Sequence, residues 1–171
     1  MGTDKACCFF GHRKINETPE LIERITKEIE FLITENEVSV FYFGSKSRFD
    51  DLCHKVTTEL KEKYPHIKRV YVRSAFQLIP DWYENSLLEH YEDTYFPKCA
   101  IHAGKAVYIE RNCEMIDKSN FCVIYYEESY TPQKRKNNHR NFTNSQPTSG
   151  TKTAYEYARK KNKIIIQTAD F

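Results

Sequence analysis

The chain is poor in the residues that make flexible loops, with five glycines and six prolines among 171 residues. The glycines stand at 2, 11, 44, 104 and 150, a spacing that excludes both the phosphate loop G-x-x-x-x-G-K-[ST] and the dinucleotide fingerprint G-x-G-x-x-G. There is also no excess of one charge. Lys and Arg total 26 against 24 Asp and Glu, a net of +2, so bulk charge supplies no attraction to nucleic acid or to a membrane, and any anion site must be local. No run approaches the roughly 18 apolar residues of a membrane span. Residues 1–10 are too few and too polar for a signal peptide, so the chain reads as soluble and cytoplasmic. Gly2 stands where a myristoylation motif begins, but Ala6 occupies the place of its Ser or Thr. The six cysteines, Cys7, Cys8, Cys53, Cys99, Cys113 and Cys122, show no C-x-x-C spacing, and three lie in apolar runs where a thiol packs as a small hydrophobe. No metal and no cofactor is expected.

What the chain does have is aromatic mass. Twelve Tyr, 11 Phe and one Trp, within 40% apolar content, are too many for a disordered polymer despite 29% charge and a mean hydropathy of -0.70. The length suits one domain spanning 1–171. Short apolar runs at 5–10, 38–43, 67–72, 106–109, 121–126 and 163–167 read as strands, the first two closed by Gly11 and Gly44. Helical spacing separates them. Thr18, Pro19 and Glu20 open a helix to about residue 36, and Phe49, Leu52, Val56 and Leu60 mark another until Tyr64 and Pro65. Further helices are expected at 112–119 and 150–161, with an irregular connection at 75–105 holding at most one short helix. Residues 127–149 form a polar insertion, read as mobile, too long for a routine connection of about 4 to 6 residues.

Alternating apolar strands and helices imply an α/β, Rossmann-like three-layer fold: a mostly parallel central sheet with helices on both faces. Ligands of such sheets sit beyond the carboxyl ends of the strands, where strand order reverses. That rule singles out Gly11, His12 and Arg13 after the first strand, with Arg13 suited to a phosphate or carboxylate. It also selects Gly44, Ser45, Lys46, Ser47 and Arg48 before the second helix, whose free amides, hydroxyls and cations could cradle an anion. Asp50, in the first turn of that helix, either caps it or takes ribose hydroxyls. Arg111 and Asn112 stand after the strand expected at 106–109, and Ser149, Gly150 and Thr151 open the last helix. Glu110, Glu114 and Asp117 share one helical side, most simply a solvated one. The basic run 134–140 is the only local invitation to nucleic acid.

Taken in order, C-C-F-F-G-H-R at 7–13, F-Y-F-G-S-K-S-R-F-D at 41–50, R-N-C-E-M-I-D-K-S-N at 111–120 and S-G-T at 149–151 resemble the SLOG superfamily. This Rossmann-like group includes the Lonely guy phosphoribohydrolases and the DNA-processing protein Smf/DprA, and the chain is most similar to a bacterial branch with an F-[TF]-G-H-R opening. The resemblance implies a pocket for a nucleotide or nucleotide-derived ligand lined by Gly11, His12, Arg13, Gly44, Ser45, Asp50, Arg111, Asn112, Gly150 and Thr151. The chain departs from the family pattern at Ser47 and Ser149, which stand in place of glycines, and at Ala154, where the Lonely guy enzymes carry Glu. Binding or sensing of a nucleotide-like small molecule is therefore expected ahead of catalysis. The alternative is an N-glycosidic bond hydrolase, with Arg13 or Arg111 holding phosphate and Asp50 or Glu114 stabilising an oxocarbenium charge. Single-stranded DNA binding ranks below both, and a homodimer is the expected assembly.

Overall fold

The computed structural model describes residues 2–44, 46–131 and 149–169. Ser45, the basic run 134–140 and most of the insertion lie outside the described residues. Strand β1 (Lys5–Gly11) is buried along all but its first residue, as the apolar run demands. Helix α1 (Pro19–Thr34) starts where Thr18 Oγ1 accepts a hydrogen bond from the Leu21 amide at 3.2 Å, with Pro19 leading its first turn. Strand β2 (Val38–Phe43) leads into helix α2 (Arg48–Lys63), whose cap is Ser47, accepting from the Asp50 amide at 3.0 Å. Asp50 and Asp51 in its first turn and Lys61 and Lys63 in its last oppose the helix dipole. Strand β3 is Lys68–Val72.

The next segment corrects the expectations. The fourth strand is not at 106–109 but at Asp93–Tyr95 (β4), inside the stretch read as irregular and preceded by helix α3 (Asp81–Leu88), which buries no residue. Three residues of sequence D-T-Y carry no period to detect; β4 exists because β3 offers it an edge to pair with. Residues 106–109 belong instead to a 3-10 turn (Gly104–Ala106) and helix α4 (Val107–Lys118). Four apolar residues cannot separate a strand from a helical turn by periodicity. Tyr108 and Ile109 are 53% and 49% exposed, whereas Arg111, Met115 and Ile116, at helical spacing, face inward. Strand β5 (Phe121–Tyr125), helix α5 (Gly150–Lys160) and strand β6 (Ile164–Gln167) complete the described chain.

The six strands form one parallel sheet in the order β4-β3-β2-β1-β5-β6. Alternation along β1 divides the core. Cys7 and Phe9 pack with the buried faces of α1 and α2, while Cys8 and Phe10 pack with Met115 and Ile116 of α4 and Ala154 and Ala158 of α5. This is the three-layer arrangement expected. Sequential strands run outward from β1 through β4, and the chain then returns across the sheet to β5, so the order reverses between β1 and β5. Sheets of this kind take their ligands at such a reversal, which here falls beyond Gly11 and Tyr125. Among the described residues no helix is long and apolar enough to cross a membrane.

Candidate functional site

The tip of β1 carries two residues with opposite exposures. Arg13 is exposed, while His12 is 1% exposed, enclosed by Tyr125, Tyr126 and Tyr130. The His12 Nε2 accepts a hydrogen bond from the Glu127 amide at 2.8 Å, which assigns the ring proton to Nδ1 when the imidazole is neutral. Burial holds its pKa below the usual histidine value, against the opposing pull of Glu127. Nδ1 is buried and has no hydrogen-bond partner among the described residues. An in-plane donor is therefore stranded at the point where strand order reverses. Such a group destabilises the fold unless a ligand or water completes it.

Gly11 owes its identity to packing. A side chain there would overlap Phe49, which is fully buried beneath it in the first turn of α2. The β1 and β2 loops are joined through the Arg48 amide, which donates to the Arg13 carbonyl at 3.1 Å. This brings Arg13 beside the loop of exposed Lys46 and the capping Ser47. Arg48 itself turns toward Glu17, Nε to Oε1 3.6 Å.

Asp50 is 4% exposed on α2. Since Ser47 already caps the helix, the Asp50 carboxylate is free for another role, and the Gly44 amide favours its charged form. Its Oδ1 is buried without a partner among the described residues. Burial raises its pKa well above the usual aspartate range, more than the nearby Arg111 charge and the Gly44 amide lower it. Arg111, reaching from α4 on the opposite face, is 4% exposed. It donates from Nη1 to the carbonyls of Gly44 and, at 3.5 Å, Val72, and from Nε to Asn112 Oδ1 at 2.9 Å. It thus joins the tips of β2 and β3, and Gly44 must be glycine because a Cβ would stand 2.8 Å from Arg111 Cδ and 2.9 Å from Met115 Sδ. Asp50 and Arg111 are brought together across the sheet edge. They were expected after a strand, and Arg111 arrives from the body of a helix instead.

The remaining candidates divide. Ser149 caps α5, accepting from the Lys152 amide at 3.4 Å, and Thr151 is buried behind it. Gly150 faces open space, and with Asn112 and Tyr108 it lines a cleft of about 70 Å³ between α4 and α5. That cleft is too small for a nucleotide. Glu114 does not face solvent as expected: its Oε2 is buried without a partner among the described residues, and its contacts are with Lys118 at 3.7 Å and with Tyr95, whose hydroxyl burial and Glu114 together hold protonated. Ser45 cannot be placed, being outside the described residues. Sequence reasoning missed Tyr71 and Tyr91, half-buried tyrosines whose hydroxyls sense the Asp50 charge, and Tyr130, which stacks on His12. Their only signal was aromatic density near strand tips. It also missed Arg73 at the tip of β3, which donates to the carbonyls of Phe76 and Gln77.

Among the described residues no group of three or more His, Cys, Asp or Glu is arranged to hold a metal ion. The arrangement offers hydrogen bonds from a neutral imidazole, a shielded carboxyl and a rim of cations. No protein-family model and no curated protein matches the chain.

Proposed function

We propose that the chain binds or senses a nucleotide or nucleotide-derived molecule in the crevice above β1, β2 and β5, as a cytoplasmic, bacterial member of the SLOG superfamily. The observation that carries this reading is the pair of buried polar atoms without a partner among the described residues, His12 Nδ1 after β1 and Asp50 Oδ1 in the first turn of α2, two segments joined by the hydrogen bond from the Arg48 amide to the Arg13 carbonyl. Both atoms suit the polar oxygens of a sugar, and the exposed Arg13 and Lys46 beside them suit a phosphate. In this reading the Arg111 guanidinium orders the site through Gly44 and Asn112. A pair of identical chains is the expected assembly, checked by light scattering of the eluted protein.

The test is a thermal-shift series with purine and pyrimidine nucleoside monophosphates, NAD and ADP-ribose, with free base measured in the same tubes. Stabilisation without base release, lost in Asp50→Ala and weakened in Arg13→Ala, supports the sensor. No shift with any of them sinks it.

One observation favours a second reading, hydrolysis of an N-glycosidic bond. The Asp50 carboxyl is pushed toward its neutral form by burial, as a proton donor to a departing base would need. This makes it better suited to that step than to stabilising a positive sugar. Free base that disappears in Asp50→Asn while binding persists would favour the enzyme.

A further inference from the structure

We infer that the face of the His12 ring is a slot for a planar heteroaromatic ring, and that Tyr130 is a plug occupying that slot. The inference rests on the nucleotide reading above and names the part of the ligand that His12 would hold.

The geometry around His12 is asymmetric. Tyr125 and Tyr126 approach with ring centroids 6.1 and 5.9 Å away, at 84° and 54°, so they meet it at edges and corners. Tyr130 lies 3.8 Å away at 13°, almost parallel and nearly superposed. Aromatic side chains left to their own preferences adopt offset or edge-to-face pairs. The separation is that of a ring stacked on a ring, and the phenol covers the imidazole as a base would.

The two partners differ in how firmly they are held. His12 follows β1 directly in the centre of the sheet, and its Nε2 is fixed by the Glu127 amide. Tyr130 closes a turn beyond β5, its amide donating to the Glu127 carbonyl at 3.0 Å. Tyr130 stands three residues beyond the Glu127 amide, so its side chain can swing off the imidazole while that amide keeps its hold on Nε2.

The plug is also an incomplete substitute. The Nδ1–H bond lies in the imidazole plane, so a ring above that plane cannot accept it, and Nδ1 stays buried without a partner. A ligand that fills the site completely must place a flat ring over the imidazole and an oxygen at its edge. A nucleoside has that shape, with the base for the face and a sugar or phosphate oxygen for Nδ1. Because Tyr130 must leave before the base enters, the plugged state lowers the apparent affinity by the fraction of molecules in which the slot is closed.

The experiment titrates the full chain, Tyr130→Ala and His12→Leu with adenosine 5′-monophosphate and ribose 5-phosphate by calorimetry, with circular dichroism confirming each fold. Tyr130→Val substitutes for Tyr130→Ala if the latter does not fold. Opening the slot should tighten binding of the nucleotide by the inverse of the open fraction, about tenfold where one molecule in ten is open. Ribose 5-phosphate should be unaffected, and His12→Leu should erase the preference for the nucleotide. Weaker nucleotide binding by the Tyr130 variant would overturn the plug, since Tyr130 would then be a wall of the site. Equal affinity for the two probes in every variant would overturn the slot while leaving the phosphate rim intact. Should neither probe bind, adenine added to the Tyr130 variant decides, read from the His12 ring resonances. A shift keeps the slot and rejects the nucleotide reading; no shift rejects both.

Discussion

Two buried arginines, Arg69 and Arg111, each lie near a carboxylate, and their surroundings differ. Arg69 meets Glu92 through two side-chain bonds, Nε to Oε2 at 3.1 Å and Nη2 to Oε1 at 2.8 Å, with Thr58 Oγ1 taking Nη1 at 2.8 Å. The Arg69 amide donates to the same carboxylate at 2.7 Å, and Lys61 stands 3.6 Å from it. Every group is answered, and the result ties β3 to the chain entering β4. Arg111 instead binds the carbonyls of Gly44 and Val72, leaving Asp50 Oδ1 buried and unanswered among the described residues. The first cluster is complete as it stands and reads as structure. The second is incomplete by one partner, and it lies at the tips of the strands where ligands of this architecture are held.

The largest effect should come from Arg111→Leu. It strips two strand-tip carbonyls of their donor and leaves Asp50 without its neighbouring cation, a loss of about 3 to 5 kcal/mol measurable by urea unfolding. Arg69→Leu should cost less, about 1 to 3 kcal/mol, because Glu92 is 29% exposed and can rehydrate. If the two lose equally, the contrast between the clusters fails. Gly44→Ala should follow, at about 1 to 3 kcal/mol, since the new methyl must displace Arg111 and Met115. A crystal structure of that variant should show the guanidinium withdrawn from Val72.

The two acids should also impose opposite pH slopes. Burial pushes the Glu92 carboxyl up, but its bonds to Arg69 reverse this and leave its pKa lowered. Its contribution is therefore present above the unfolded-state pKa and lost as pH falls through the folded one. Glu92→Gln should be less stable than the parent at neutral pH and approach it in acid. Asp50 is shifted the other way by burial, so its folded form retains a proton that the unfolded form has released. Stability is then lost as pH rises from the ordinary aspartate pKa to the raised one, and Asp50→Asn should gain on the parent over that window. Parallel curves for the two variants would remove the distinction. The smallest effect on stability, within about 0.5 kcal/mol, is expected for Arg13→Ala at an exposed position. Its loss should be visible in the affinity for phosphorylated probes alone.

Much of the framework was legible in the chain. The buried run of β1, the Thr18–Pro19 entry to α1 and the Ser149 entry to α5 follow from local chemistry, and the structure has them where pattern implies. The outer part was not legible. Strand β4 is three residues held by a neighbour, and the apolar quartet before Arg111 proved to be the approach to a helix with its tyrosine and isoleucine outward. Within the site, His12 and Asp50 were identifiable by position after a strand and at a helix start, whereas Arg111 was singled out by a strand expected at 106–109 that is helical instead. That Asp50 is not a cap could not be read, since Ser47 and Asp50 compete for the same duty until the backbone decides between them.

Sequence by itself determined the layers of this protein, because the period of apolar residues reports which segments must bury one face or two. It also determined which residue types stand near the strand tips. Only the tertiary structure decided which of them lack partners. The tautomer of His12 and the charge balance at Asp50 depend on groups 115 and 61 positions away, Glu127 and Arg111, that local pattern cannot bring to them. A hydrogen bond is settled by distance and direction in space, and those exist only once the sheet has set its neighbours.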